Sequence, residues 1–350
     1  MITPHQDAPA SELVTVVVPH YGAPGPTLAL LAQLRAQRDV PGLRIVVSDD
    51  ASPEPLVLPP EAATGPGAPE RAAPARSPQA PAPSTPPAAV AQDRARPVTL
   101  LRRSRNGGFG ANVNTALERV STPYALVLNS DLEVGERFVA DLLEAARPWQ
   151  PCVVAPRVRS ADGSEQHAGR HFPTVGHQTV EWLSPLARWR HTRVLHEAVG
   201  HDTRAAGPGT TSVDWVTGAA LLLPVAEVRA VGGFDESYFM NAEEVDLQRR
   251  LRERGVPSLV AGDVTVTHAG GGSSDARRRR AWLVAARSRY ARRWGRPRTL
   301  TAALTAATGV NLAVNTVRAA AGRDVHPLRV AREELALIHP GLRPGAGGRR

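Results

Sequence analysis

Val14-Thr15-Val16-Val17-Val18-Pro19 decides the fold. Branched Cβ atoms pack well on a pleated backbone, so the run predicts a strand, and Pro19 closes it because proline has no N–H to donate to a ladder. A second short apolar run, residues 44–48, ends in Asp49-Asp50, and between the two runs Leu28, Leu31 and Leu34 recur at helical spacing. Strand, helix, strand in that order is a right-handed parallel unit, the usual start of a doubly wound α/β sheet whose ligands sit at the carboxyl ends of the strands.

Working outward, residues 53–97 break the pattern, with 13 Pro and 12 Ala and no periodic apolar face. Such a low-complexity stretch cannot bury a core, and an irregular, disordered insertion between strands is expected. Pattern resumes with strands at 98–101 and 124–129, a helix at 111–119, a helix at 138–146 and a strand at 153–156. Residues 160–212 are polar and His-rich and give no periodic reading. Residues 213–223 form one apolar, strand-like run, followed by a short helix at 225–231, a helix at about 243–254, and strands at 258–260 and 264–267. Beyond 277 the chain reads as helical and basic.

A length of 350 residues allows one large domain or two ordinary ones. The one cysteine, Cys152, excludes a disulfide framework and a cysteine-rich zinc site. The net charge of +9 is unevenly placed: residues 271–350 hold 17 Arg and 4 acids, while residues 1–270 hold 25 Arg and 29 acids. A nucleic-acid-binding reading fails on that distribution and on the lack of any helix-turn-helix, RRM or zinc signature. Residues 1–12 carry no cation and no apolar run, which predicts a flexible start with no signal peptide and a cytoplasmic protein. The long uncharged stretch at 299–317 contains too much Thr, Asn and Gly for a good spanning helix, and a packed or interfacial helix is expected.

Four groups of residues could carry chemistry. Asn129-Ser130-Asp131 follows a buried strand, where a carboxylate can hold Mg²⁺ or Mn²⁺ against diphosphate oxygens, although an Asp in that place equally serves as a turn-former. Glu243, Glu244 and Asp246 crowd a helix start; either they are solvated acids favoured by the helix dipole, or one is a general base. Asn106-Gly107-Gly108-Phe109-Gly110 is a glycine-rich turn into a helix that lets backbone amides approach a phosphate or a sugar, but it is not a Walker A loop and lacks GxGxxG. His268 follows a strand and precedes Gly270-Gly271-Gly272-Ser273, so it is either a metal or diphosphate contact beside a moving loop or an ordinary surface histidine.

In order, Val16 to Tyr21, Val47 to Ser52, Asn106 to Gly110, Asn129-Ser130-Asp131, Trp215 to Ala219, Gly233 to Glu236, Phe239 to Leu247 and His268 resemble a family 2 glycosyltransferase of GT-A fold, in its rhamnosyltransferase-like branch. The resemblance spans about residues 13–295 and implies a mixed sheet flanked by helices, followed by a basic helical C-terminal extension from 296 to 350. It implies an inverting, metal-dependent transfer of a sugar, first dTDP-L-rhamnose and next a UDP- or GDP-sugar, to a hydroxyl of a glycan or polyprenyl-diphosphate-linked acceptor. By position, Pro19, Tyr21, Asp49 and Asp50 would line the nucleotide, with Asn106, Gly108, Phe109 and Asn129 on its sugar-phosphate side. Trp215, Gly218, Asp235 and Phe239 would shape the acceptor and sugar pocket, Asp131 and His268 would meet the metal, and Glu244 would be the base.

Two departures from the family pattern stand out. Asn129-Ser130-Asp131 has one carboxylate where some relatives have two, which keeps a catalytically inactive sugar-nucleotide-binding module as the rival function. Glu replaces Asp at 244, one methylene or about 1 Å longer, a difference that matters for positioning and keeps Glu243 as a competing base. For the tail, Arg277–Arg280 with Trp282, Leu283, Val284, Tyr290 and Trp294 suggests a helix that meets an anionic membrane surface, against the alternative of a solvated basic helix packed on the catalytic domain. A peripheral place on the inner face of the cell membrane follows from the first of these.

Overall fold

The computed structural model describes residues 13–40, 43–59, 96, 98–269 and 275–340. The expected flexible start, the Gly270 to Ser273 loop, the last ten residues and most of the Pro/Ala insertion lie outside the described residues.

The elements run β1 (Val14–His20), α1 (Pro24–Arg35), β2 (Arg44–Asp49), β3 (Val98–Arg102), α2 (Phe109–Leu117), β4 (Tyr124–Leu128), β5 (Leu132–Glu133) and α3 (Phe138–Ala146). They continue with β6 (Val153–Ser160), β7 (Gly169–Arg170), α4 (Val175–Trp182), α5 (Arg193–Ala198), β8 (Thr210–Val213), β9 (Trp215–Val216), β10 (Ala220–Pro224), α6 (Val225–Ala230) and α7 (Glu243–Arg252). β11 (Ser258–His268) ends the sheet, and α8 (Ala276–Trp294), α9 (Pro297–Ala320) and α10 (Pro327–Ile338) complete the described chain.

The main sheet is mixed and nine-stranded, in the order β3-β2-β1-β4-β10-β6-β11-β5, with β8 also paired to β11. β3, β2, β1 and β4 are mutually parallel, as the opening strand-helix-strand unit predicts, and β10 then runs antiparallel to both β4 and β6. β1 lies between β2 and β4, so the strand order reverses there and opens a crevice at the carboxyl ends of these strands, where ligands bind in such sheets. The chain leaves those ends at Tyr21, Asp50 and Asn129, and this places the site. Valines of β1 and leucines of β4 and β10 form the middle of the core, all at or near zero exposure.

Three stretches differ from the sequence reading. Residues 213–223 are not one strand: the run is divided among the end of β8, β9 and β10, with a turn at Thr217 to Ala219. The break has a polar cause, because Asp214 Oδ2 accepts the Phe172 amide at 3.0 Å and buried Gln248 exchanges both amide-type bonds with Val216, at 2.8 and 2.7 Å. Conversely, 258–260 and 264–267 belong to one strand with a register shift between Ala261 and Thr265. Gly262 sits in that bulge, where an added Cβ would lie 2.1 Å from the Gly207 carbonyl oxygen.

The aperiodic residues 160–212 fold as short capped helices between β7 and β8. Thr174 Oγ1 accepts the His177 amide at 3.1 Å, Thr192 Oγ1 accepts the Leu195 amide at 3.4 Å and Asp202 Oδ1 accepts the Arg204 amide at 3.1 Å.

The basic C-terminal region packs on the rest of the chain. Trp182, Val284, Ala291, Leu300, Leu304, Ala307 and Ile338 form a second core joining α4, α8, α9 and α10. Trp182 Nε1 donates to Thr308 Oγ1 at 2.9 Å, and Asn311 bonds both the Ser184 amide and the Trp182 carbonyl. The aromatic anchors expected to face a membrane are turned inward. Val284 and Tyr290 are buried, Trp282 stacks on Phe239 with centroids 5.0 Å apart, and Trp294 donates to Asp246. Apolar area gained against the rest of the chain is what turns that face inward, and the exposed side of α8 keeps Arg277 to Arg280. Among the described residues α9 alone is long and apolar enough to cross a membrane, with a third of its apolar window buried against the protein.

Candidate active site

The crevice begins with β1. Pro19 is half-buried at its end and Tyr21 projects, 48% exposed, beside it. At the end of β2 the two acids turn away from the opening. Asp49 Oδ1 accepts the Ser52 amide at 2.8 Å, and its Oδ2 takes the Leu56 amide and the Arg102 guanidinium. Burial opposes the charge of Asp49, but these donors outweigh it and hold its pKa below the usual carboxylate range. Asp50 accepts the amides of Gly107 at 3.0 Å and Gly108 at 2.9 Å and pairs with Arg103. Both acids therefore shape the nucleotide side through the loops they hold and offer no open face of their own, in contrast to the direct contacts expected of them.

The glycine-rich turn is pinned on its other side by Phe239. Its carbonyl accepts the Phe109 amide at 3.2 Å, and Gly108, at φ +87°, leaves room for it: a Cβ there would lie 1.8 Å from that oxygen. Phe109 packs edge-on to Phe234 at 6.0 Å. Asn106 is exposed at the mouth of the turn, with Oδ1 accepting from the Gly108 amide.

Asn129 continues β4, and its amide donates to the Ala219 carbonyl at 2.9 Å, which ties the Asn129-Ser130-Asp131 turn to the Gly218 turn ahead of β10. Asp131 and His268, 137 residues apart, meet: Oδ1 and Nε2 are 3.1 Å apart. His268 Nδ1 is held by Gln166 Oε1 at 3.0 Å, which fixes the ring so that Nε2 points at the carboxylate. Burial works against the Asp131 charge, but the hydrogen bond and charge of His268 bring its pKa below the usual value. A carboxylate and an imidazole converging at the mouth of a crevice, both part-exposed, suit a divalent cation that keeps open positions for ligand oxygens.

α7 brings in the remaining acids. Its start is unusual: Asn241 at φ +70° and Ala242 at φ +66° are left-handed without being glycine, a strained approach that sets where Glu243 and Glu244 fall. Glu243 is 3% exposed, its Cβ 3.6 Å from where a Gly110 side chain would begin. Glu244 lies over Gly218, with Oε1 3.7 Å from a Cβ placed there. One oxygen of each, Oε2, is buried with no hydrogen-bond partner. Burial raises the pKa of both; for Glu243 the adjacent Glu244 charge adds to this, and for Glu244 the Arg170 guanidinium works against it. The pair thus holds a proton to higher pH than isolated glutamic acids do.

Asp246 does not join them. It is fully buried and shared among Arg250 Nε at 2.9 Å, Arg293 and Trp294 Nε1 at 2.7 Å, so it anchors α8 and offers nothing to an acceptor. Asp235 likewise caps its own turn through the Ser237 amide at 3.0 Å and pairs with Arg293 at 3.2 Å. Trp215 is half-buried, Nε1 donating to the His171 carbonyl at 2.9 Å.

A family model, "Glycosyl transferase family 2", matches residues 85–206. Over those residues the chain is similar to glycosyltransferase family 2. An N-acetylglucosaminyl-diphospho-decaprenol L-rhamnosyltransferase of Mycobacterium tuberculosis is 28% identical over 198 residues, 52% of this chain and 62% of that protein. Rhamnosyltransferase WbbL of Escherichia coli K12 is 26% identical over 161 residues, 43% of this chain and 56% of that protein. The chain thus spans less than two thirds of these curated relatives. The crystal structure of GalNAc-T7 with UDP, GalNAc and Mn²⁺ aligns with a TM-score of 0.50 at 12% identity, covering 81% of this chain and 48% of that one, and shares the fold. The architecture is the GT-A fold.

Three residues around this site escape the sequence reading. Arg170 lies close enough to Glu244 to pull its pKa down, Gln248 clamps β9 above the same glutamate, and Gln166 orients His268. Arg170 and Gln166 belong to the aperiodic segment, where no spacing marks them. Gln248 is one turn beyond Glu244 on the same helix, and a buried polar residue at that spacing is the signal available for it.

Proposed function

We propose that this chain transfers a sugar, L-rhamnose from dTDP-L-rhamnose, with inversion to a hydroxyl of a lipid-linked glycan acceptor at the cytoplasmic face of the membrane. The observation that carries the reading is the tie between Asn129 and Ala219. It supports a donor side at the Asp131–His268 pair and an acceptor side at Glu244, which lies over the Gly218 turn that Asn129 ties down.

Pro19, Tyr21 and Asn106 would receive the nucleotide, and the amides held by Asp50 would fix the turn that closes on the sugar. Asp131 and His268 would hold Mg²⁺ or Mn²⁺, which when bound neutralises the diphosphate. Glu244 Oε2, unpartnered and withdrawn from water, would take the proton of the acceptor hydroxyl as its oxygen attacks the anomeric carbon. Arg170 favours the ionised form that this role needs, while Glu243 tends to keep the shared proton. The choice of rhamnose and of a lipid-linked acceptor rests on the names of the relatives.

The test is release of nucleoside diphosphate from a panel of dTDP-, UDP- and GDP-sugars, with and without a polyprenyl-diphosphate-linked acceptor and with Mg²⁺ or Mn²⁺. Acceptor-stimulated release from dTDP-rhamnose alone supports the full reading. Release from another donor replaces the sugar, and binding of a donor without turnover in any arm makes the chain an inactive sugar-nucleotide-binding module.

A further inference from the structure

The aperiodic segment between β6 and β8 contains a second convergence of donor atoms, away from Asp131. His167 precedes β7, His196 lies on α5 and His201 follows α5, and one ring nitrogen from each falls within 4.8 Å of the others. His167 packs with tilted rings against His196, centroids 4.1 Å apart, and against His201 at 4.9 Å, and His196 Nδ1 and His201 Nδ1 share a hydrogen bond at 2.9 Å. His167 Nδ1 is buried with no hydrogen-bond partner. His167 also adopts φ +51°, a left-handed backbone that a side chain of this size takes only where its surroundings over-determine it.

A neighbouring cluster is the control. His171, Glu197 and Asp202 also converge, but each has an internal partner: Glu197 takes His171 Nε2 and the Thr203 amide, and Asp202 takes Arg204. That cluster is complete without a ligand, whereas among the three imidazoles His196 and His201 share one hydrogen bond and the buried His167 Nδ1 has no partner.

We infer that His167, His196 and His201 form a second metal site, for a divalent cation that prefers nitrogen ligands, such as Zn²⁺. Three neutral imidazoles, with bonds of about 2.0–2.1 Å, are a zinc donor set that leaves a fourth position open. Burial holds all three rings in the neutral, ligating form, with His201 pushed down to about 2. Arg170 places a positive charge nearby, and Glu165 and Glu197 place negative charges that offset it at His167. The site is chemically distinct from the Asp131–His268 pair, where a hard, oxygen-seeking ion is expected.

A cation here would staple α5 to β7. The backbone of Arg170 already bridges to His201, and the Asp202 amide donates to the Gly169 carbonyl at 3.0 Å, so the staple would stiffen the strand that presents Arg170 toward Glu244.

The experiment uses the full chain without a polyhistidine tag, stripped by chelator and titrated with Co²⁺ as a spectroscopic probe and then with Zn²⁺ in competition. One equivalent of Co²⁺ giving a tetrahedral visible band, displaced by Zn²⁺, is expected. His196→Gln and His201→Gln should each weaken Zn²⁺ binding at least ten-fold while circular dichroism stays unchanged, and Asp131→Ala should retain the wild-type affinity. Zn²⁺ should raise the Tm of the wild type and of Asp131→Ala, and not that of His196→Gln. Failure of the wild type to bind either ion overturns the inference, as does affinity that survives both histidine substitutions or disappears with Asp131→Ala.

Discussion

Asp49-Asp50 and Glu243-Glu244 are both pairs of adjacent acids, and they stand on either side of the glycine-rich turn, yet the fold treats them in opposite ways. Asp50 bonds the amides of that turn, and every oxygen of the aspartate pair has a donor or a guanidinium. Glu243 and Glu244 pack against Gly110 and Gly218, and each keeps an oxygen buried and unpaired. A buried carboxylate with a full set of partners is a building element. One left without partners costs stability, and it is retained where a proton has to move.

The comparison breaks most readily at Asp246, a carboxylate of α7 with the building pattern. Removing one partner of a buried ion network costs about 3–5 kcal/mol, so Asp246→Ala should lower Tm severely, while the folded fraction keeps its turnover. Denaturant unfolding beside active-site-normalised kinetics checks this, and a selective loss of kcat would put Asp246 among the working acids.

Asp50→Ala leaves the Gly107 and Gly108 amides without their acceptor, at about 1–3 kcal/mol. It should raise the donor KM more than it lowers kcat, which steady-state kinetics against donor concentration would read.

Glu243→Gln sharpens the other half. The folded pKa of Glu243 is raised, so its contribution is fully present below the unfolded pKa and lost as pH rises through the folded value. The substitution should therefore raise Tm at pH 8, by the order of 1–3 kcal/mol of relieved burial, and bring little at pH 4. A thermal melt at both pH values decides it, and a lower Tm at pH 8 counts against an unpaired charge at 243.

The smallest effect is on the pH profile. Transfer should decline as pH falls through the raised pKa of the glutamate pair, above the ordinary carboxylate range. In Glu243→Gln the acidic limb of kcat/KM should move to lower pH, because the like charge beside Glu244 is gone.

Much of this was legible in the sequence. The valine run of β1, the acids after β2 and Asn129 to Asp131 after β4 mark strand ends by local chemistry alone, and the order of the strands then places them at one crevice. The Asp131–His268 pairing was expected only through family resemblance, since contact between residues so far apart is set by the β11–β5 register, Thr267 opposite Glu133 and His268 opposite Leu132. Asp246 was read as a site residue from the crowding of acids at the helix start, and Asp235 from its place in the family resemblance. Their Arg250, Arg293 and Trp294 partners come from packing of α8, which no local pattern encodes. The inward packing of the α8 aromatics was hidden for the same reason: basic, aromatic helices look alike whether they face lipid or another part of the protein. Residues 160–212 hid their helices because each is shorter than the window in which periodicity can be counted, although Thr174, Thr192 and Asp202 were standing caps.

The central claim is that Glu244 removes the acceptor proton, and kcat with bound donor for Glu244→Gln beside the wild type tests it most directly. Turnover should fall about 10²- to 10⁴-fold, with donor affinity and Tm maintained. Wild-type turnover in Glu244→Gln, or an equal loss found in Glu243→Gln instead, would contradict the account.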